Sequence, residues 1–339
     1  MGAVRFGARE FGGVLSESVG SKAGVALSEE RMRGFLADMG GYTPVWPRED
    51  GVMRVRFEEY AEIHWYMLHR LGIVAYPYEP TPEQFVRDQI RDDPAKAAIF
   101  ELVAADLDEF TFDVHMGERE RSPEELQRFT DSIAAAHGTS GAEIVERLLN
   151  ASPAGELDVD PFKPLGGSAW SDVRDLDELF HSERLGSPHG TYFDERFANF
   201  LAANFDAIDR IHWRQLEGLA AEHFKREGFA VELGPGRGDG GVDIRLRPQD
   251  AGPDAPAAVL VQCKRQRTRV SNTVVKALWA DVAAEDADSG LIVTTSTLAP
   301  SARAVRTARS YAIDEAGRDT LRTWVEEMRT PGTGVFLAE

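Results

Sequence analysis

The chain has 339 residues, enough for two ordinary domains, and its 42% apolar and 28% charged residues are the mix of a globular protein. No run approaches the roughly 18 apolar residues of a membrane span, and the single cysteine, Cys263, excludes an internal disulfide and a Cys-only metal site. A net charge of −19 argues against a chain that coats nucleic acid non-specifically.

The start, MGAVRFGAREFGG, lacks the apolar region of a secretory signal, so the expected compartment is the cytoplasm. Charge is uneven. Residues 1–190 hold 19 Lys and Arg against 35 Asp and Glu, whereas residues 191–339 hold 19 against 22. The second part also carries a basic cluster, Arg265, Arg267, Arg269 and Lys276, in a stretch, 255–280, with no acid.

In chain order, residues 1–150 read as mostly helical, with extended structure near the start. Ser28 caps a predicted helix running to Met39; another spans Phe57–Leu71 and is closed by Gly72. Thr81-Pro82 and Ser122-Pro123 each announce a helix by cap followed by proline, and a last one covers Ser140–Asn150. His64, His69, His115 and His137 have no metal-ligand spacing and read as packing or surface residues. Residues 151–190, with their prolines and glycines, read as a connector whose Phe162 and Trp170 dock it on a domain. The stretch 193–210 then reads as one amphipathic helix. The expected division is 1–150 as a recognition or regulatory region of unknown fold, 151–190 as connector, and 191–339 as an α/β domain.

From Ile211 the pattern sharpens. IHWRQLEGLAAEHFKRE is a helix closed by Gly228, with Trp213, Leu216, Ala220, His223 and Phe224 on one apolar face. Glu217 projects within that face. A carboxylate there needs a partner or a metal, unless it snorkels to water. Three strands are predicted next, over Phe229–Leu233, Val242–Arg247 and Ala258–Lys264. By alternation Asp243, Arg245 and Arg247 share one face of the second strand, and Leu260, Gln262 and Lys264 one face of the third. Paired as a hairpin with those faces matched, Asp243, Gln262 and Lys264 converge. Asp243 offers a hard oxygen suited to Mg²⁺, Gln262 an amide oxygen or a hydrogen bond to water, and Lys264 a charge for a hydroxide or a phosphate in flight. A helix (Thr273–Asp286), a strand (Leu291–Thr295), a helix (Ala299–Tyr311), a short strand at Ala312-Ile313 and a helix (Arg318–Met328) complete the reading.

Other signals in this region are weaker. Gly236-x-Gly238-x-x-Gly241 matches a dinucleotide fingerprint, but a strand follows where that motif needs a helix. Cys263 points to the face opposite Gln262 and has no activating His or Asp, so it reads as core. The cluster Arg265, Arg267, Arg269 and Lys276 is either a solvated turn or a grip on phosphates. Thr294, Thr295 and Ser296 either reach phosphate oxygens or serve the backbone.

The stretches LEGLAAEHFKREGFAVELGPGRGDGGVDIRL, VLVQCKRQRTRVSNTVVKAL and GLIVTTSTLAPSARAVRTA resemble, in order and spacing, the Mrr-like restriction endonucleases, a branch of the PD-(D/E)xK nucleases, in the variant carrying Gln-x-Lys. The resemblance covers about residues 208–328. It implies an αβββαβ restriction-endonuclease-like core, active-site positions Glu217, Asp243, Gln262 and Lys264, a metal (Mg²⁺, or Mn²⁺ in its place) held by Asp243, Gln262 and Glu217, and DNA contacts by Arg265, Arg267, Arg269 and Lys276. Gln262 stands where a second acid is usual, and Val242 where a proline is usual. The implied function is metal-dependent endonucleolytic hydrolysis of DNA phosphodiesters in restriction of foreign or modified DNA. The alternative is a catalytically silent nuclease-like DNA-binding module acting with a protein partner. A homo-oligomer and a protein partner bound through residues 1–190 are both compatible with the sequence, and no ligand motif supports a small-molecule-triggered effector.

Overall fold

Residues Ala3–Gly7 (β1) lead into Ala8–Ala23 (α1), where Phe11, Leu15, Val19 and Ala23 recur every fourth position and are fully buried. The sequence pattern passes over this helix because Gly12, Gly13 and Gly20 each disfavour it by about 1 kcal/mol relative to alanine; burial of the apolar stripe overrides that preference. Val25–Ala26 (β2) and Glu29–Ala37 (α2) follow, the latter capped by Ser28 as expected. Val52–Arg56 (β3) pairs antiparallel with β1 and runs into Phe57–Arg70 (α3). The chain then turns at Gly72 (φ 76°), where a Cβ would fall 2.1 Å from the Asn199 carbonyl oxygen. The computed structural model describes residues 2–39, 46, 51–120, 122–162, 172–186, 189–236, 241–252 and 255–329.

Residues 76–163 form a compact helical unit of their own. It contains Pro82–Ile90 (α4), Pro94–Met116 (α5), Pro123–Asn150 (α6) and Pro153–Glu156 (α7), packed around Val86, Phe100, Val103, Phe129, Ile133, Ile144, Val145 and Leu148. Thr81 and Gln84 make a reciprocal capping box at the start of α4, and Ser122 caps α6. Gly138 (φ 67°, ψ −159°) breaks α6 just before the predicted start at Ser140. The sequence reading omits α5, because exposed Leu102, Phe112 and Met116 leave it without one apolar face. Of the two aromatic residues expected to dock the connector, Phe162 is 50% exposed and Trp170 lies outside the described residues.

The other unit joins residues 1–75 to 164–339. The expected boundaries at 150 and 190 are therefore not where the contacts divide the chain. Arg174–Asp175 (β4) pairs parallel with β2 and leads into Leu176–His181 (α8). The stretch 193–210 is not one helix: Glu195–Ala203 (α9) stops at Asn204, whose side-chain amide donates to the Arg70 carbonyl at 2.6 Å, and a 3₁₀ turn covers Phe205–Arg210. Arg196 on α9 is fully buried. It pairs with Asp194 (2.8 Å) and donates to the carbonyls of Gly24 (3.1 Å) and Asp172 (2.7 Å). A buried guanidinium saturated by partners from distant parts of the sequence is a physical reason why residues 1–75 and the C-terminal part form one unit.

The C-terminal part consists of Trp213–Arg226 (α10), Phe229–Leu233 (β5), Ile244–Pro248 (β6), Val259–Lys264 (β7), Asn272–Ala284 (α11), Ser289–Thr294 (β8), Pro300–Ala308 (α12), Ile313–Ala316 (β9) and Arg318–Met328 (α13). The sheet order is β5-β6-β7-β8-β9, with β5, β6 and β7 antiparallel and β7, β8 and β9 parallel. Leu260 and Ile292 pack on Val275, Leu278 and Val282 of α11 and on Ala302 of α12. No helix among the described residues is long and apolar enough to cross a membrane.

Candidate active site

The antiparallel register Ile244↔Val261 and Leu246↔Val259 brings the start of β6 to the end of β7. Asp243 precedes β6. Its N–H donates to the Val261 carbonyl (2.9 Å), and its Oδ2 accepts from the Cys263 N–H (2.6 Å), so Asp243 is stitched to the backbone on either side of Gln262. Gln262 Nε2 in turn donates to the Gly241 carbonyl at 2.6 Å. Asp243 and Gln262 are 7% and 6% exposed. Lys264 ends β7 half-buried, with its carbonyl accepting from Thr294 Oγ1 (2.8 Å) and the Thr295 N–H (3.3 Å). No hydrogen bond or ion pair engages its ammonium among the described residues.

Glu217 lies on α10 with its side chain 5% exposed, which removes the snorkelling alternative. Arg214, one turn earlier, holds it at 2.6 Å. Arg214 itself lies against Gly236 (φ 83°), where a Cβ would fall 2.9 Å from its guanidinium. The sequence reading misses Arg214, although the i, i+3 spacing to Glu217 is there to be seen. Cys263 ties the group together electrostatically. Its thiol is pushed well above its usual range, first by burial, then by the carboxylates of Asp243 and Glu217, while Lys264 pulls the other way. A thiol so disfavoured as thiolate is a packing residue rather than a nucleophile.

Gln262 Oε1 is buried with no hydrogen-bond partner among the described residues. Buried amide oxygens rarely remain unpaired, and one beside a buried carboxylate is a donor set for a hard cation. No group of three His, Cys, Asp or Glu side chains able to hold a metal occurs among the described residues; an amide stands here in place of one carboxylate. Asp243 and Gln262 fit a divalent ion through one charged and one neutral oxygen.

Arg265, Arg267, Arg269 and Lys276 are all exposed, and none forms an ion pair among the described residues. Other arginines of the C-terminal part are neutralised: Arg226 by Glu195 and Glu222, Arg245 by Glu285, Arg247 by Glu232, Arg303 by Glu315, and Arg318 by Asp206 and Asp209. Arg245 is bidentate on Glu285, at 2.6 and 2.7 Å, and this hydrogen-bonded pairing holds the Glu285 carboxyl below its usual range. The hydroxyls of Thr294 and Thr295 do not face outward for phosphate. Thr294 serves the Lys264 carbonyl and the Ser296 N–H, and Thr295 both accepts from and donates to the Gln266 backbone. They hold the segment that carries Lys264. A strand follows Gly241, so the structure supplies no helix for a dinucleotide at that turn; residues 237–240 lie outside the described set.

Residues 208–325 match the restriction endonuclease family Mrr_cat. The chain is 37% identical over 98 residues to "Uncharacterized protein y4cE" of Sinorhizobium fredii (strain NBRC 101917 / NGR234); the match spans 29% of this chain and 25% of that protein, about a quarter of its length. Among solved structures, similarity extends to "MspJI Restriction Endonuclease in Complex with 27-mer Oligonucleotide", with 20% identity, 57% of this chain and 46% of that chain covered, and a TM-score of 0.27.

Proposed function

From the restriction endonuclease domain at residues 208–325, we propose that this protein is a metal-dependent endodeoxyribonuclease that acts in restriction of foreign or modified DNA. The observation that carries the reading is the buried Asp243–Gln262 pair, with its unpartnered amide oxygen, beside a half-buried Lys264 with no partner among the described residues. The succession of α10, three antiparallel strands, α11, β8, α12 and β9 supports an αβββαβ core. Asp243 and Gln262 would hold Mg²⁺, and Glu217, whose carboxylate acts on Cys263 together with that of Asp243, would contribute directly or through water. The ion supplies Lewis-acid polarisation of a phosphoryl oxygen and a lowered pKa for bound water. Lys264 stabilises negative charge as the phosphodiester is attacked in line. Arg265, Arg267, Arg269 and Lys276 grip DNA phosphates next to the site, while the acidic residues 1–190 address a protein partner, a second copy or a modified base.

Purified protein incubated with methylated and unmethylated plasmid, with and without Mg²⁺, tests the reading. Nicking or linearisation that depends on the metal is expected; DNA binding with no cleavage under any divalent ion would favour the catalytically silent alternative. Neutralising two of the three arginines 265, 267 and 269 should weaken binding about equally for all duplex sequences. It should also flatten the salt dependence by about 0.9 log units per lost phosphate contact. An unchanged slope in filter-binding or anisotropy titrations would take those residues out of the interface. Glu217→Gln should raise the Mg²⁺ concentration for half-maximal cleavage, and an unchanged requirement would leave Glu217 as a packing partner of Arg214.

A further inference from the structure

Gly241 meets Gln262 in two ways. Its carbonyl accepts the Gln262 Nε2–H at 2.6 Å. Its backbone lies at φ 102°, and a Cβ there would fall 3.0 Å from that same nitrogen. The position thus demands glycine for its conformation and for the space the amide occupies. A primary amide has a donor end and an acceptor end. Anchoring the donor end on Gly241 turns the acceptor end away from it, and that oxygen, Oε1, is buried with no hydrogen-bond partner among the described residues. With the amide reversed, its oxygen would face the Gly241 carbonyl and its NH₂ would face the metal position, unfavourable on both sides.

We propose that Gly241 is a positioning residue that makes Gln262 an oxygen donor: its main-chain carbonyl and bare Cα select the amide orientation in which Oε1 faces the cation. This rests on the metal reading above and explains how a glutamine serves where an acid is usual. A neutral amide supplies one oriented oxygen only if something holds its other end. Second-sphere anchors of this kind typically change metal affinity by about 10–100-fold.

The test is a double-mutant cycle on the full-length chain, with Mn²⁺ binding measured by calorimetry in the absence of DNA and apo-protein melting as the control for folding. Gly241→Ala and Gln262→Ala are each expected to weaken Mn²⁺ binding by about tenfold or more, and Gly241→Ala is expected to add less than about twofold in the Gln262→Ala background. Equal weakening in both backgrounds would mean that the glycine only shapes the turn, and wild-type affinity in Gly241→Ala would likewise overturn the inference. If Gln262→Ala alone leaves Mn²⁺ affinity intact, the metal reading fails, and this inference with it. Should Gly241→Ala not fold, nuclear magnetic resonance of the wild type decides. The Gln262 side-chain NH₂ should be protected from exchange before and after Mg²⁺ addition, while its carbonyl carbon shifts on titration. A freely exchanging NH₂ would rule out the anchor.

Discussion

Lys264→Ala is expected to lower DNA cleavage by about 10²–10³-fold, equivalent to roughly 3–4 kcal/mol of transition-state stabilisation, with no loss of folding stability. The separation of the two effects follows from the geometry. The Lys264 backbone is held by Thr294 Oγ1 and the Thr295 N–H, neither of which touches the ammonium. The side chain is half-buried and its ammonium has no partner among the described residues, so truncation leaves no orphaned group behind. Asp243 calls for a different substitution. Its Oδ2 holds the Cys263 N–H, so alanine would confound lost chemistry with a lost buried hydrogen bond worth about 1–3 kcal/mol. Asp243→Asn keeps an oxygen that can accept from Cys263 while removing the charge, and should match Lys264→Ala in rate with little change in melting. Time courses of plasmid nicking beside thermal melts check both variants. Full activity in either well-folded variant would sink the assignment.

The largest expected effect on stability belongs to a residue with no proposed part in this chemistry. Arg196→Met should destabilise the protein by about 3–5 kcal/mol, because it leaves Asp194, 7% exposed, without its cation and the carbonyls of Gly24 and Asp172 without a donor. Urea unfolding measures this; a change under about 1 kcal/mol would show that water replaces the guanidinium there. The same contacts bear on truncation. Removing residues 1–190 would take the Gly24 and Asp172 carbonyls from Arg196, leaving only Asp194 of these partners, and uncover the side of α9 that meets α3, so a fragment of 191–339 should aggregate or melt early. Excising 76–163, a unit with its own core, is the deletion expected to leave the other unit folded.

The strand that carries Gln262 and Lys264 is legible in the sequence because strand alternation is a local property. Once β6 and β7 pair, Asp243, Gln262 and Lys264 can meet only at the ends of those strands, and residue types and spacing carry that much. Helix caps such as Ser28, Thr81 and Ser122 are legible for the same reason: each acts within three residues of itself. Helices α1 and α5 are not legible, the first because its glycines argue against a helix that only tertiary burial stabilises, the second because exposed Leu102, Phe112 and Met116 blur its period. The contacts divide the chain at 75 and 163 rather than at 150 and 190, because Pro and Gly content marks where a chain bends, not which segments share a core. That is settled by Arg196 and by α9 meeting α3 and α13 across the sequence. The roles of Thr294 and Thr295 follow only from proximity to the Lys264–Gln266 backbone. Residue types and their alternation thus suffice to name the side chains that could do the chemistry. How Glu217 is held, through Arg214, and which end of the Gln262 amide faces the site emerge only when the chain is packed, because both depend on hydrogen bonds whose direction no residue pattern encodes.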